Sequence, residues 1–243
     1  LGDYNLAGSN LTGANLKGAI LSTTDLTNAN LSKADLTGAN LTSADLVGAD
    51  LTGADLTGTT LASAVFSETS NGVVATATLT SAILTGANLN GRDLTGVDFE
   101  KANLSGANLT GADLENATLI GAKLIADGNT AVKLMGATLT GAKLEKADLT
   151  GADLGKYGDV KTNLVGADLT GAILKNADLE DANFTGANLE KADLTNTTLT
   201  NTVFSTTANG VVTAANLTSA ILTSADLNGR DLTGVDFEKA NLS

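Results

Sequence analysis

A leucine or phenylalanine returns every fifth residue along almost the whole chain. Taking each as a centre, there are 44 of them between Leu1 and Leu242, 39 Leu and 5 Phe, and no Leu or Phe lies anywhere else. Two residues before the centre, 31 of 43 positions are Ala. The remaining three positions of each five are mostly Thr, Gly, Asn, Asp and Ser. A helix needs an apolar period near 3.6 and a half-buried strand a period of 2, and five satisfies neither. One large and one small apolar residue per five fits a narrow interior packed in layers, with the polar positions facing solvent. A chain that turns a corner every five residues closes a square coil after 20. Leu then stacks on Leu and Ala on Ala, with coils ~4.8 Å apart as in any sheet. The pattern therefore predicts an all-β, four-sided solenoid over residues 1–243, a single domain of about 11 coils and ~53 Å long.

The rhythm breaks in four places. Phe66 to Leu79 and Phe204 to Leu217 each span 13 residues, and both contain Asn-Gly between β-prone runs, the strongest short hairpin signal. Two projecting hairpins are expected, at about 67–76 and 205–214, turning at Asn71-Gly72 and Asn209-Gly210. The other breaks, at about 125–133 and 155–163, each lose one centre, and Gly128 and Gly158 point to loops. Segments 61–105 and 199–243 are near copies, 138 residues apart. If the insertions consume no side of the square, 138 residues are six whole coils plus insertions, and both hairpins leave the same side. If each ten-residue gap counts as two sides, the second hairpin rotates to the opposite side. Leu1-Gly2-x-Tyr4 matches Leu154-Gly155-x-Tyr157 and favours the first reading.

Runs such as Ala-Asn-Leu-Thr-Gly at 107–111 and Ala-Asp-Leu-Thr-Gly at 54–58 resemble the pentapeptide-repeat family. The resemblance covers nearly the whole chain and implies a right-handed quadrilateral β-helix. It implies less about function: many members have no known role, and some mimic DNA and bind type II topoisomerases. Such inhibitors, as a family pattern, dimerise through a dedicated C-terminal helix, and no such segment is visible here.

Composition removes most chemistry. With no His and no Cys there is no thiol nucleophile, no zinc–thiolate site and no imidazole base. Ser and Thr are abundant but lack a base, so the expectation is no enzyme and no cofactor. Asp127-Gly128-Asn129 is a fragment of a calcium loop without its remaining ligands, so a metal is not expected. No run of 18 apolar residues exists, so no membrane span is expected. The net charge of −13 disfavours nucleic acid as a partner and favours solubility or a basic protein partner. Sixteen Asp precede a centre, spread almost evenly over the four sides, which reads as solvated surface rather than one acidic stripe. Thr columns read as ordinary solvent-facing β residues.

The two arginines, Arg92 and Arg230, both occupy the small inward position in Asn-Gly-Arg-Asp-Leu. A buried guanidinium must pair or turn outward, so each is expected to bridge to an Asp such as Asp93 or Asp231, or to mark a docking point beside its hairpin. The candidate interaction residues are thus Arg92, Arg230, Asn71, Gly72, Asn209 and Gly210. The near-identical unit, whole-coil arithmetic and absence of end caps predict a structural or scaffold protein. It would be a segment of a long, fibre-like assembly that associates end to end or with another protein. The alternative is a DNA mimic that inhibits a type II topoisomerase. A cysteine-free repetitive chain suits a cell surface or the extracellular space.

Overall fold

The computed structural model describes residues 4–70 and 73–243. Each pentapeptide is one side of a square and one corner. The corner is a turn closed by the amide of the small inward residue, which donates to the carbonyl of the preceding centre, as from Ala14 N to Leu11 O at 3.0 Å. The third turn residue is left-handed, with φ of +65° at Gly13 and +57° at Thr23, the signature of a type II turn. Such turns recur at each corner because only Gly occupies this conformation freely, and Asn, Lys or Ser fill it where a side chain is needed.

Between corners the chain pairs in parallel with the next coil, 20 residues on. Asn5 pairs with Asp25, Asn10 with Asn30, Asn15 with Asp35 and Ile20 with Asn40, which defines a first, second, third and fourth side. A side carries a few bonds per coil, such as Leu6 N to Asp25 O, Gly8 N to Thr27 O and Asp25 N back to Tyr4 O. Every centre from Leu21 to Leu222 is buried, most of them completely, in one continuous core. Each buried Leu or Phe contributes roughly 1.5–3 kcal/mol. Phe184 and Phe204 stack in successive coils with ring centroids 5.8 Å apart.

Four strands stand outside the coil. Strands β1 (Ser67–Ser70) and β2 (Val73–Thr76) pair antiparallel, and so do β3 (Ser205–Ala208) and β4 (Val211–Ala214). The turn at Asn71-Gly72 lies outside the described residues; Asn209 and Gly210 both have positive φ, +52° and +77°. Pairing across each insertion advances by the inserted length and keeps its side. Asp50 pairs with Thr78, Asn108 with Lys133 and Thr138 with Asn163. The ladder lapses twice, on the fourth and first sides next to each hairpin: Thr60 and Val65 do not pair with Asn88 and Asp93, nor Thr198 and Val203 with Asp226 and Asp231.

Candidate interaction surface

The surface is built first by the residue before each centre. Its Oδ1 accepts the backbone amide two residues on, as Asn10 does from Thr12 (3.1 Å) and Asp168 from Thr170 (3.0 Å). A Thr or Ser at that second position adds its hydroxyl, at 2.6 Å from Thr170 Oγ1 to Asp168. These Asp and Asn side chains therefore fasten corners while their remaining oxygen or nitrogen faces outward. The bonds stabilise the ionised form: the hydroxyl and amide of Thr27 hold the Asp25 carboxyl below the usual carboxylate range, and Thr37 does the same for Asp35.

The two hairpins rise from one column. From Asp93 the first side runs through Asp113, Thr138, Asn163 and Asn183 to Val203. Val65, immediately before Phe66 and β1, stands one coil above Asp93; Val203 immediately precedes Phe204 and β3. Both hairpins expose valines, with Val74 46%, Val211 66% and Val212 42% exposed. Near each hairpin an arginine turns outward. Arg92 Nε donates to Asn90 O at 3.2 Å and Arg230 Nε to Asn228 O at 3.1 Å. The expected bridges to Asp93 and Asp231 do not form, and among the described residues neither guanidinium has a carboxylate partner. A side chain too long for a slot sized for methyl leaves through the corner, and the nearest acceptor on that path is the turn carbonyl. Asp93 instead accepts from Thr95 N (3.0 Å) and Ser67 Oγ (3.0 Å).

The two shorter insertions fold tightly onto the rod. Asp127 and Thr130 exchange backbone bonds of 2.9 and 3.0 Å, and Tyr157 and Val160 bonds of 2.8 and 3.1 Å. The second is locked by buried Thr162, whose Oγ1 accepts from Gly136 N (2.9 Å) and donates to Gly155 O (2.7 Å). It is also held by Asp181, whose carboxylate meets Lys156 at 3.0 Å and Lys161 at 3.5 Å. Lys156 is the chief cause that keeps the Asp181 carboxyl below its ordinary range. Sequence reasoning missed this triad, because it depends on which corner lies beneath the loop. Tyr157 and Val160 are left more than half exposed on the loop.

Among the described residues there is no pocket and no group of carboxylates placed to hold a metal ion, and no helix is long and apolar enough to cross a membrane. Asp127 belongs to its tight turn rather than to a ligand cage.

The family model for pentapeptide repeats matches eight copies, over residues 5–42, 44–70, 76–111, 93–125, 133–155, 162–201 and 213–243. Among solved structures, the chain is similar to HetL, a pentapeptide repeat protein involved in heterocyst differentiation regulation in the cyanobacterium Nostoc. The identity is 34%, over 93% of this chain and 91% of that one, with a TM-score of 0.35. It is 16% identical to QnrB1, a plasmid-mediated fluoroquinolone resistance protein, over 100% of this chain and 93% of that one, at a TM-score of 0.37. A pentapeptide repeat protein of the Arabidopsis thaliana thylakoid lumen is 35% identical over 40% of this chain and 68% of its own, at a TM-score of 0.25. A comparison with curated proteins gives no match.

Proposed function

Since the chain belongs to the pentapeptide-repeat family, we propose that it is a non-catalytic structural rod, a unit of a long repetitive assembly that presents hairpins along one side. The observation that carries this reading is the phase of the ladder. Six coil steps separate Val65 from Val203 on one side, so the chain holds its two hairpins in line, ~29 Å apart at six strand spacings, and an array of whole coils keeps them on that side. Units stacked end to end would continue the same parallel ladder. A rod of this kind offers spacing and rigidity rather than a reaction centre, which accords with a chain lacking His and Cys.

The test is electron microscopy of the purified protein over a concentration series. Filaments that lengthen with concentration and repeat axially once per chain, every ~53 Å for about 11 coils, support the assembly. Short isolated rods at every concentration overturn end-to-end stacking.

A DNA mimic acting on a type II topoisomerase is the second reading, favoured by the net charge of −13 and by carboxylates that the corner bonds keep ionised. A supercoiling assay separates the two. Inhibition near equimolar protein supports the mimic, and no effect at a large excess removes it.

A further inference from the structure

The duplicated segments share a structural fault as well as a hairpin. On the fourth and first sides, residues 60–66 should bond to residues 88–93 as every neighbouring coil does. Among the described residues, no backbone bond joins Leu61, Ser63 or Phe66 to that next coil. One coil further on the same sides are closed, with Leu89 N to Asn108 O at 2.8 Å, Gly91 N to Thr110 O at 2.9 Å and Leu94 N to Asp113 O at 2.7 Å. The second copy repeats the fault between residues 198–204 and 226–231. Opposite each seam the ladder stays intact, through Leu51 N to Thr78 O and Leu56 N to Ile83 O (both 2.7 Å), and Leu189 N to Asn216 O and Leu194 N to Ile221 O (both 2.7 Å).

The cause is legible in the small inward slots. At the corner between the second and third sides these slots are Ala in both coils, Ala54 above Ala82 and Ala192 above Ala220. At the three corners along the seam, each pair of facing slots includes an oversized residue. Thr59 stands above Ala87, Arg92 below Ala64 and Val97 below Ala77; in the second copy Thr197 stands above Ala225, Arg230 below Thr202 and Val235 below Ala215. A slot sized for methyl must widen for Thr or Val, and Arg92 and Arg230 leave theirs through the corner. Oversized residues at one or two successive corners are not enough: Arg92 and Val97 also stand above Ala112 and Ala117, yet Asp113 N reaches Arg92 O (2.9 Å) and Thr118 N reaches Val97 O (3.0 Å), so it is three corners in succession that mark the seams.

Each hairpin lies across the mouth of its seam. β1 leaves the upper lip after Phe66, and Ser67 Oγ crosses to Asp93 Oδ1 (3.0 Å). Val74 Cγ1 and Thr76 Cγ2 reach to 3.7 and 3.5 Å from where a Cβ on Gly96, in the lower lip, would stand. In the second copy Ser205 Oγ crosses to Asp231 O (3.3 Å), and Val212 Cγ1 comes within 2.8 Å of the equivalent point on Gly234.

We propose that the two seams are flexure points of the rod. Each opens on the fourth and first sides about the closed ladder at the opposite corner, and its hairpin is a strap that limits the opening. The seams share one phase, so bending at both curves the rod in one plane. This goes beyond a passive scaffold and does not depend on filament formation, since an isolated rod carries both seams.

Hydrogen exchange of the full chain tests it. Residue-resolved exchange follows the residues whose N–H faces each seam: Leu61, Ser63, Phe66, Asn88 and Asp93 at the first, and Leu199, Asn201, Phe204, Asp226 and Asp231 at the second. Their amides are expected to exchange roughly tenfold or more faster than those of coils between the seams, such as 102–124. Restoring Ala at the six slots (T59A, R92A, V97A, T197A, R230A, V235A) should bring seam rates down to those of the flanks and narrow the spread of rod curvature in electron micrographs. If that variant fails to fold, R92A with R230A alone should slow the fourth-to-first corner at both seams. Seam amides as slow as the flanks in the natural chain overturn the proposal. So does a folded Ala-restored variant whose seams still exchange fast, or one whose rods bend as before.

Discussion

Every corner asks one residue to adopt a left-handed backbone, and what lies above that residue decides which side chains it tolerates. Lys33, Lys101 and Lys146 take this position, and their Cγ atoms lean to within 3.7, 3.7 and 3.8 Å of where a Cβ would stand on Gly53, Gly121 and Gly171 in the next coil. At these three corners a long side chain is thus paired with a glycine beneath it. The glycines are therefore not equivalent. Gly106 and Gly111 have the same strain, φ +65° and +64°, but a Cβ on Gly106 would meet Asp127 Cβ at 2.8 Å while one on Gly111 meets nothing within 4 Å. Gly111→Ala should cost about 1–2 kcal/mol, the left-handed penalty alone. Gly106→Ala should cost about 1–3 kcal/mol more, because the loop at 125–133 must lift. Urea denaturation of the two variants checks this, and equal losses would show that the loop gives way freely. The sequence made centres and slots readable because their period is absolute. The corner bonds of Asp and Asn escaped notice although the signal was present, an Asx two residues before a Thr or Ser, as in Asn10-x-Thr12. Counting those Asp as solvated surface overlooked that their partner is a backbone amide, which no composition displays.

A coil of four pentapeptides tolerates an insertion only at a corner, where the chain can leave and return without displacing a rung. β1 and β2 do this: Phe66 O accepts from Ala77 N at 2.7 Å, and the next rung, Asp50 with Thr78, is in register. Removing residues 68–75 should therefore rejoin Phe66-Ser67 to Thr76-Ala77 with five residues between centres and leave the core intact. The expected outcome is native circular dichroism and a melting temperature within a few degrees of the full chain, since only the β1–β2 pairing and partly exposed contacts such as Val74 against Gly96 are lost. Removal of Glu115 alone should instead lower the melting temperature far more, because that side becomes one residue short and the rungs of Thr118 with Asp98 and Lys143 fall out of register. At this scale the sequence was legible where Asn-Gly punctuated the repeat. The seams were not: Arg92 stood out as a departure from Ala, but Thr59 and Val97 are ordinary β residues, and the three lie on two different coils. Only the pairing across an eight-residue insertion shows that Thr59 faces Ala87 and that Arg92 and Val97 sit beneath Ala64 and Ala77.

The whole molecule is a stack in which each coil touches only the coil before and the coil after, apart from loops and straps that reach one coil away. Stability in such a solid is a sum of coil terms and interface terms, and no single centre of folding is required. Leu109 lies between the seams in the coil next to the first, fully buried, with Leu89 N bonded to Asn108 O above it and its own N bonded to Lys133 O (2.7 Å) below. Leu109→Asp places an unpaired carboxylate in that layer, a cost far beyond what one interface can absorb. In a compact globule such a change would unfold the chain. Here the loss should stay local, because coils well above and below keep their own ladders and buried leucines. Limited proteolysis of the variant should cut near residue 109 and leave two resistant fragments, each carrying one hairpin. Urea unfolding should split into more than one transition. A single transition with the whole chain digested together would mean that the rod is cooperative from one seam to the other, and the interface energy would then exceed the coil energy by enough to transmit one defect along its entire length.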